Sequence, residues 1–337
     1  MEKGSRLFCS SAQLRRVTWP STVAKDLSSQ RVDLCRKKSH KEIQMKVKIY
    51  SILLTCFFPL LFLIAFGQVS EDPPVEFKKL SDRLYLISGG LGANSGAFIG
   101  DNGVLIIEGK ADEKSVDQVL DGLKKITNKP ILYLVNTHYD LDHCWGNQFY
   151  PESVIKIAHE NLRKDLYHPK GRYKEHRDHP EFKKHLPSIT FRDKMDILLG
   201  AQKVELWYFG RGHSTGDIVV YFPEEQTAFV GDQVFLGMTP GVYSAIGGDT
   251  FEHVKTLNKM MDTLEAEQFI SGHYDSILSR TDIWTYIDGV RKKQEKVREL
   301  LDQGHSLEEV KNKFPENDRY LIESMYSEIK SKRSKNF

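Results

Sequence analysis

Residues 131–143 read Ile-Leu-Tyr-Leu-Val-Asn-Thr-His-Tyr-Asp-Leu-Asp-His. Ile131–Val135 is a short, continuous apolar run, the pattern of a strand buried on both faces. Immediately behind it stand His138, Asp140, Asp142 and His143, four metal-ligand types within six residues. Such side chains are costly beside a buried strand unless they are paired or hold a cation. The stretch therefore predicts a strand that delivers a metal-binding loop at its end.

Reading outward, strand-like runs at Arg83–Ile87, Ala97–Ile99 and Val104–Ile107 precede it, with an Asp101-Asn102-Gly103 turn signal between the last two. Val116, Leu120, Leu123 and Ile126 recur at helical spacing. Strand, helix, strand is the signature of a layered α/β arrangement. Residues 156–200 read as polar helix or loop. Strands are expected at Val204–Tyr208, Ile218–Phe222, Ala228–Val230 and Phe269–Ile270, and an amphipathic helix around Phe251, Val254, Leu257 and Leu264. From Ile283 the tail reads as helical, with a capping box at Ser306–Glu309 after Gly304. Three more ligand-type residues fall at or near strand ends: His213 in Gly212–Asp217, Asp232 after Ala228–Val230, and His273 after Phe269–Ile270.

This ordered set resembles the metallo-β-lactamase superfamily, whose pattern is His-x-His-x-Asp-His, a distant His, an Asp at a strand end and a final His. The resemblance runs from about Phe77 to the carboxy terminus and includes LPSITF at 186–191, GHSTGDIVVYFP at 212–223 and FVGDQVF at 229–235. It implies an α/β fold, a four-layer αββα sandwich, with the site at one edge. It also implies two metals, zinc first, in a metallo-hydrolase. Carried over by position, His138, Asp140 and His213 hold one metal, Asp142, His143 and His273 the other, and Asp232 bridges them. Asp142 is the implied catalytic residue, orienting the attacking water and accepting its proton. The implied substrate is a small molecule: an ester, lactone, thioester, β-lactam or phosphoester.

The departure is Asp140, where the pattern has a histidine. Zinc accepts carboxylate oxygen, and carboxylate-rich sites also suit iron and manganese. The flavodiiron oxidoreductases of the same superfamily carry a carboxylate there, so a dinuclear non-haem iron oxidoreductase is the alternative. Neither a flavin domain nor a cysteine set for an iron–sulfur site is visible to supply electrons. The added charge on Asp140 predicts a weaker Lewis acid and a less acidic nucleophilic water.

Other residues read more plainly. His159, His168, His176, His179 and His185 lie among alternating charges, the pattern of a solvated helical surface. Cys144 reads as a small packing residue. Tyr139 and Trp145 are candidate pocket walls, and Ser214, Thr215, Asp217 and Asp275 candidate braces for ligand histidines. Tyr274 replaces the small residue usual after the last histidine and is expected to narrow the pocket. Substrate choice is expected from loops 89–96, 144–150, 160–190 and 236–249.

The 337-residue chain is nearly neutral as a whole but uneven. Residues 1–44 carry ten Lys/Arg against four Asp/Glu, whereas the chain from Gln68 onward is acidic. That gives no basic stripe for nucleic acid. Residues 49–66 are an unbroken apolar run behind Lys46 and Lys48, with a small-x-small site at Ala65-Phe66-Gly67. These are the parts of a secretory signal, and a membrane anchor only if the 49–66 segment stays uncleaved. The expected organisation is a leader over 1–44 outside the native or ordered protein, a signal or anchor over 45–67 starting at Met45, and one domain over 68–337. A periplasmic or secreted location follows, or an outward-facing anchor. Cys144 alone would survive in the mature chain, so no internal disulfide is expected.

Overall fold

The computed structural model describes residues 73–168, 180–242, 244 and 247–334. The readings over 1–44 and 45–67 lie outside them, as do His176 and His179. Among the described residues, no helix is long and apolar enough to cross a membrane.

Two sheets face each other. One has seven strands in sequence order: β1 (Glu76–Lys79), β2 (Leu84–Ser88), β3 (Ser95–Ile99), β4 (Val104–Ile107), β5 (Ile131–Val135), β6 (Ile155–His159) and β7 (Ile189–Phe191). The other runs β13 (Tyr274–Ser279), β12 (Gln268–Ser271), β11 (Thr227–Gly231), β10 (Val219–Phe222), β9 (Gln202–Trp207) and β8 (Lys194–Leu199). Both are mixed. β4 to β7 are parallel, and so are β11 and β12.

The period of two along each strand builds the layers. On β4, Leu105 and Ile107 point between the sheets, where they join Phe98, Val135, Val220, Phe222 and Phe229. Val104 and Ile106 point the other way, onto Val116, Val119 and Leu123 of α1 (Glu113–Ile126). β10 does the same: Val220 and Phe222 face inward, whereas Val219 and Tyr221 meet the outer helical layer. That layer comprises α5 (Thr250–Thr263), α6 (Arg280–Asp302), α7 (Leu307–Lys311) and α8 (Arg319–Ser334). Between them lie three short helices: α2 (Leu141–Cys144), α3 (Glu160–Tyr167) and α4 (Pro180–Lys184). The expected αββα sandwich is the observed one.

Some local expectations change. The polar stretch 156–200 contains three strands, β6, β7 and β8. His159 is not on a solvated surface: it is buried, caps α3 by accepting from Asn161 N, and stacks on Tyr208 at 3.9 Å. The capping box at Ser306 forms as read, and a second one, Ser279 with Asp282, starts α6.

Candidate metal centre

Each ligand-type residue is placed by an element end. β5 ends at Val135, and the chain turns through Asn136-Thr137 into α2, with His138 and Asp140 before it and Asp142 and His143 within it. Asp232 follows the end of β11, and His273 sits in the turn between β12 and β13. His213 stands in the loop from β9 to β10. All seven residues meet at one edge of the sandwich.

The distances sort them into two groups. Asp140 Oδ2 lies 3.2 Å from His213 Nε2 and 3.8 Å from His138 Nε2. Asp142 Oδ2 lies 3.1 Å from His273 Nε2 and 3.6 Å from His143 Nε2. Asp232 stands between the groups: Oδ2 is 3.6 Å from His138 Nε2 and 3.2 Å from His273 Nε2, and Oδ1 is 3.3 Å from His143 Nε2. Asp140 thus faces the other ligand types, with its carboxylate where the pattern has an imidazole.

Electrostatics follows from this crowding. Burial pushes the Asp140 carboxyl up, but the His138 and His213 imidazoles together hold it far below the usual range. Asp232 and Asp142 are likewise held down by neighbouring imidazoles against the effect of burial. Burial opposes charge on His213, yet Asp140 and Asp232 raise it to about 9. Asp142 and Asp232 raise His273 to about 9 as well. Without a cation, His213 and His273 are thus held charged beside these carboxylates.

The donors fit a metal pair. His138 Nε2, His143 Nε2 and Asp232 Oδ1 are buried and make no well-aligned hydrogen bond, although His143 Nε2 and Asp232 Oδ1 lie 3.3 Å apart. Each such group costs about 1–3 kcal/mol if nothing satisfies it. Their lone pairs converge on the gaps between the two groups, and imidazole with carboxylate is a ligand set for divalent zinc, iron or manganese. Gly272 keeps the space open: a Cβ there would meet Asp232 Oδ1 at 2.3 Å and His143 Cε1 at 2.8 Å.

Two supporting residues escaped the sequence reading. Glu108, at the end of β4, is almost fully buried and adopts a left-handed φ of 63°. Its carboxylate accepts from Thr137 N at 3.2 Å and from the Thr137 hydroxyl, and lies 3.1 Å from His143 Nδ1. It fixes the His143 ring with Nε2 toward the centre. Backbone strain of this kind gathers at functional sites, but a lone Glu after an apolar strand gives no such signal. Asn94 ties the loop after β2 to the His273 turn, its N donating to Gly272 O at 2.7 Å and its side chain to Ser271 O and Tyr274 O. Among the anticipated braces, Asp217 accepts from Gly212 N and from both Ser214 donors, so it shapes the His213 loop rather than its ring.

The centre opens into a cleft of about 570 Å³. Leu91, Leu141, Trp145, Phe235 and Met238 give it an apolar lining. Trp145 stacks on Phe182 at 5.0 Å, and Phe235 stacks on His273 at 6.1 Å. Tyr139 is buried core instead, and Cys144 packs beside it as expected. Of the expected loops, 89–96, 144–150 and 236–249 reach the cleft, whereas no described residue of 160–190 does.

The model of the metallo-beta-lactamase superfamily matches residues 88–273. The metallo-beta-lactamase type 2 of Elizabethkingia meningoseptica is 22% identical over 245 residues, 69% of this chain and 90% of that protein. The 2,4-dinitroanisole O-demethylase subunit alpha of Nocardioides sp. (strain JS1661) is 26% identical over 172 residues, 50% of this chain and about half (49%) of that subunit. Among solved structures, the DIM-1 metallo-beta-lactamase aligns with a TM-score of 0.55 at 16% identity, covering 66% of this chain and 99% of that one. An enzyme from Pontibacter korlensis aligns at 0.54, covering 64% and 99%. These likenesses carry the fold, and the family match spans more than half of the chain, including every residue of the centre. The chain belongs to the metallo-beta-lactamase superfamily and is a metallo-hydrolase of that family.

Proposed function

We propose that this chain is a dinuclear zinc hydrolase acting on a neutral carboxylic ester, lactone or thioester. The observation that carries the reading is the pairing of a seven-residue donor set with apolar walls. The described residues that line the cleft include Asp140, Asp142 and Asp232 but no Lys or Arg. An anionic substrate such as a β-lactam carboxylate or a phosphoester would find no described Lys or Arg there to pair with its charge. Asp140 lowers the charge of the centre by one relative to a histidine, which weakens the pull on anions further.

Two bound divalent cations would supply an acidified water and a Lewis acid for the substrate oxygen. His138, Asp140 and His213 would hold one, Asp142, His143 and His273 the other, with Asp232 shared. Asp142, half-exposed at the cleft floor, accepts the proton of the attacking water. Trp145 and Phe235 hold the acyl or aryl portion between them and exclude bulk water. Kinetic constants for matched neutral and anionic esters test the proposal: kcat/KM should favour the neutral member. Preference for the anionic one would overturn it.

The likeness to an O-demethylase subunit favours a second reading, cleavage of a neutral aryl ether in the same cleft. Asp140 keeps the iron alternative in view, since a carboxylate-rich set also suits that metal. We further propose that the enzyme works outside the cytoplasm, in the periplasm or secreted, on the strength of the 49–66 run. Amino-terminal sequencing of the native protein should give Gln68 as first residue.

A further inference from the structure

The family match ends at His273, and the chain continues through α6, α7 and α8. Several polar contacts of these helices fall on two points of one segment, which runs from the end of β11 to the first residue of α5. At the first point, Thr239 donates its hydroxyl to Asp318 at 3.0 Å, and Ser324 donates to Val242 O at 3.4 Å. Asp318 is buried and paired with Lys293 at 2.9 Å. At the second point, Glu328 accepts from Thr250 N at 3.0 Å and from its hydroxyl at 2.5 Å, while Gln294 donates to Thr250 O at 2.8 Å.

Both points bear on one ligand. Between Thr239 and Val242 lies Gly241, whose carbonyl accepts from His213 Nδ1. Next to Thr250 lies Asp249, which pairs with Arg211 at 2.9 Å and donates its N to Gly212 O at 3.2 Å. The residues on either side of His213's orientation, its Nδ1 partner and its preceding backbone, are thus fixed from the carboxy-terminal helices. The other ligand group is held from within the family match, by Glu108, Asn94 and Gly272.

We infer that the helices after residue 273 are a positioning device for His213, with Asp318, Ser324 and Glu328 as positioning residues. The partner on one ring nitrogen sets which nitrogen keeps a lone pair. The Gly241 carbonyl keeps the proton on Nδ1 and leaves Nε2 facing Asp140. Asp318 is buried and Glu328 partly buried, and each is hydrogen-bonded to this one segment, which marks a specified arrangement, since burying a carboxylate without partners is costly. The inference rests on the metal reading of the centre.

The test separates the two groups in the full-length chain. His273→Ala leaves the group containing His213, and His213→Ala leaves the group containing His273. Cobalt(II) affinity is measured by calorimetry in each background, with and without Glu328→Ala or Asp318→Ala. In the His273→Ala background, each should weaken cobalt binding about 10–100-fold, the usual effect of losing a ligand's hydrogen-bond support. In the His213→Ala background, neither should change it. Glu328→Gln, which can still accept from Thr250 N, should restore most of the affinity. Ser324→Ala, a milder change, should act in the same direction if either carboxylate variant fails to fold. Asp302→Ala, which removes a pair with Arg333 on the same helices, should have no effect. Equal weakening in both backgrounds, or none in either, would overturn the inference. Absence of cobalt uptake by the unmutated chain would overturn the metal reading and this inference with it.

Discussion

Asp140 sits 3.2 Å from His213 Nε2, inside the group whose donors it completes. Its extra negative charge should make the attacking water less acidic. Asp140→His is therefore expected to move the rising limb of the pH–rate profile to lower pH and to raise activity on anionic esters; an unmoved limb would contradict this. A second pH effect follows from His213 and His273, both raised to about 9 in the metal-free chain. Because these values lie above the roughly 6.5 of an unfolded histidine, the pairing stabilises the metal-free fold fully below about pH 6.5. That contribution is lost as pH rises through about 9. Urea midpoints of the metal-free protein should fall across this window, and those of the metal-loaded protein should not, because its imidazoles are already deprotonated. A flat metal-free profile would contradict the pairing. The positions of the seven ligand types were legible because each follows an apolar run. Glu108 and Asn94 were not: what marks them is a left-handed backbone and contacts across long sequence separations.

At the scale of elements, the legible strands were those covered on both faces. β4, β10 and β11 are buried at every position, so they read as unbroken apolar runs. β8 and β13 are edge strands, β8 with alternate positions exposed and β13 with one buried residue in six, and β7 has three residues of which one is buried. Their polar residues mimic a loop. The β2–β3 connection has its own hidden anchor, Lys110, which is fully buried and has a left-handed φ of 61°. Its Nζ donates to Gly89 O and Ala93 O at 2.8 Å each, and burial lowers its pKa to about 8. Lys110→Met would leave these two carbonyls unpaired, at a cost of roughly 2–6 kcal/mol from about 1–3 per buried group. Chemical denaturation measures it; unchanged stability would show that the loop holds itself. Since Leu91 and Gly92 line the cleft, KM should rise more than kcat falls.

Across the whole molecule, the four layers follow from period-two burial, and the centre follows from where the strands end. The fold carries a cluster of buried donors without well-aligned hydrogen bonds at that edge, and bound metal is expected to stabilise it. At a free metal concentration 1,000 times Kd the gain is about 4 kcal/mol. Chelation should lower the melting temperature by about 8–16 °C, at roughly 2–4 °C per kcal/mol for a domain of this size. Adding zinc back should restore it, and a melting point indifferent to chelator would count against the centre. The helices beyond residue 273 are the part whose role only the three-dimensional contacts reveal, because nothing in their heptad-free, capped sequence marks the loop they hold. The most direct measurement of the central claim is the metal content of the purified chain by elemental analysis. Two zinc ions per chain, falling toward one on His213→Ala or His273→Ala, is the predicted result; a chain without bound metal, or one holding two iron ions, would contradict it.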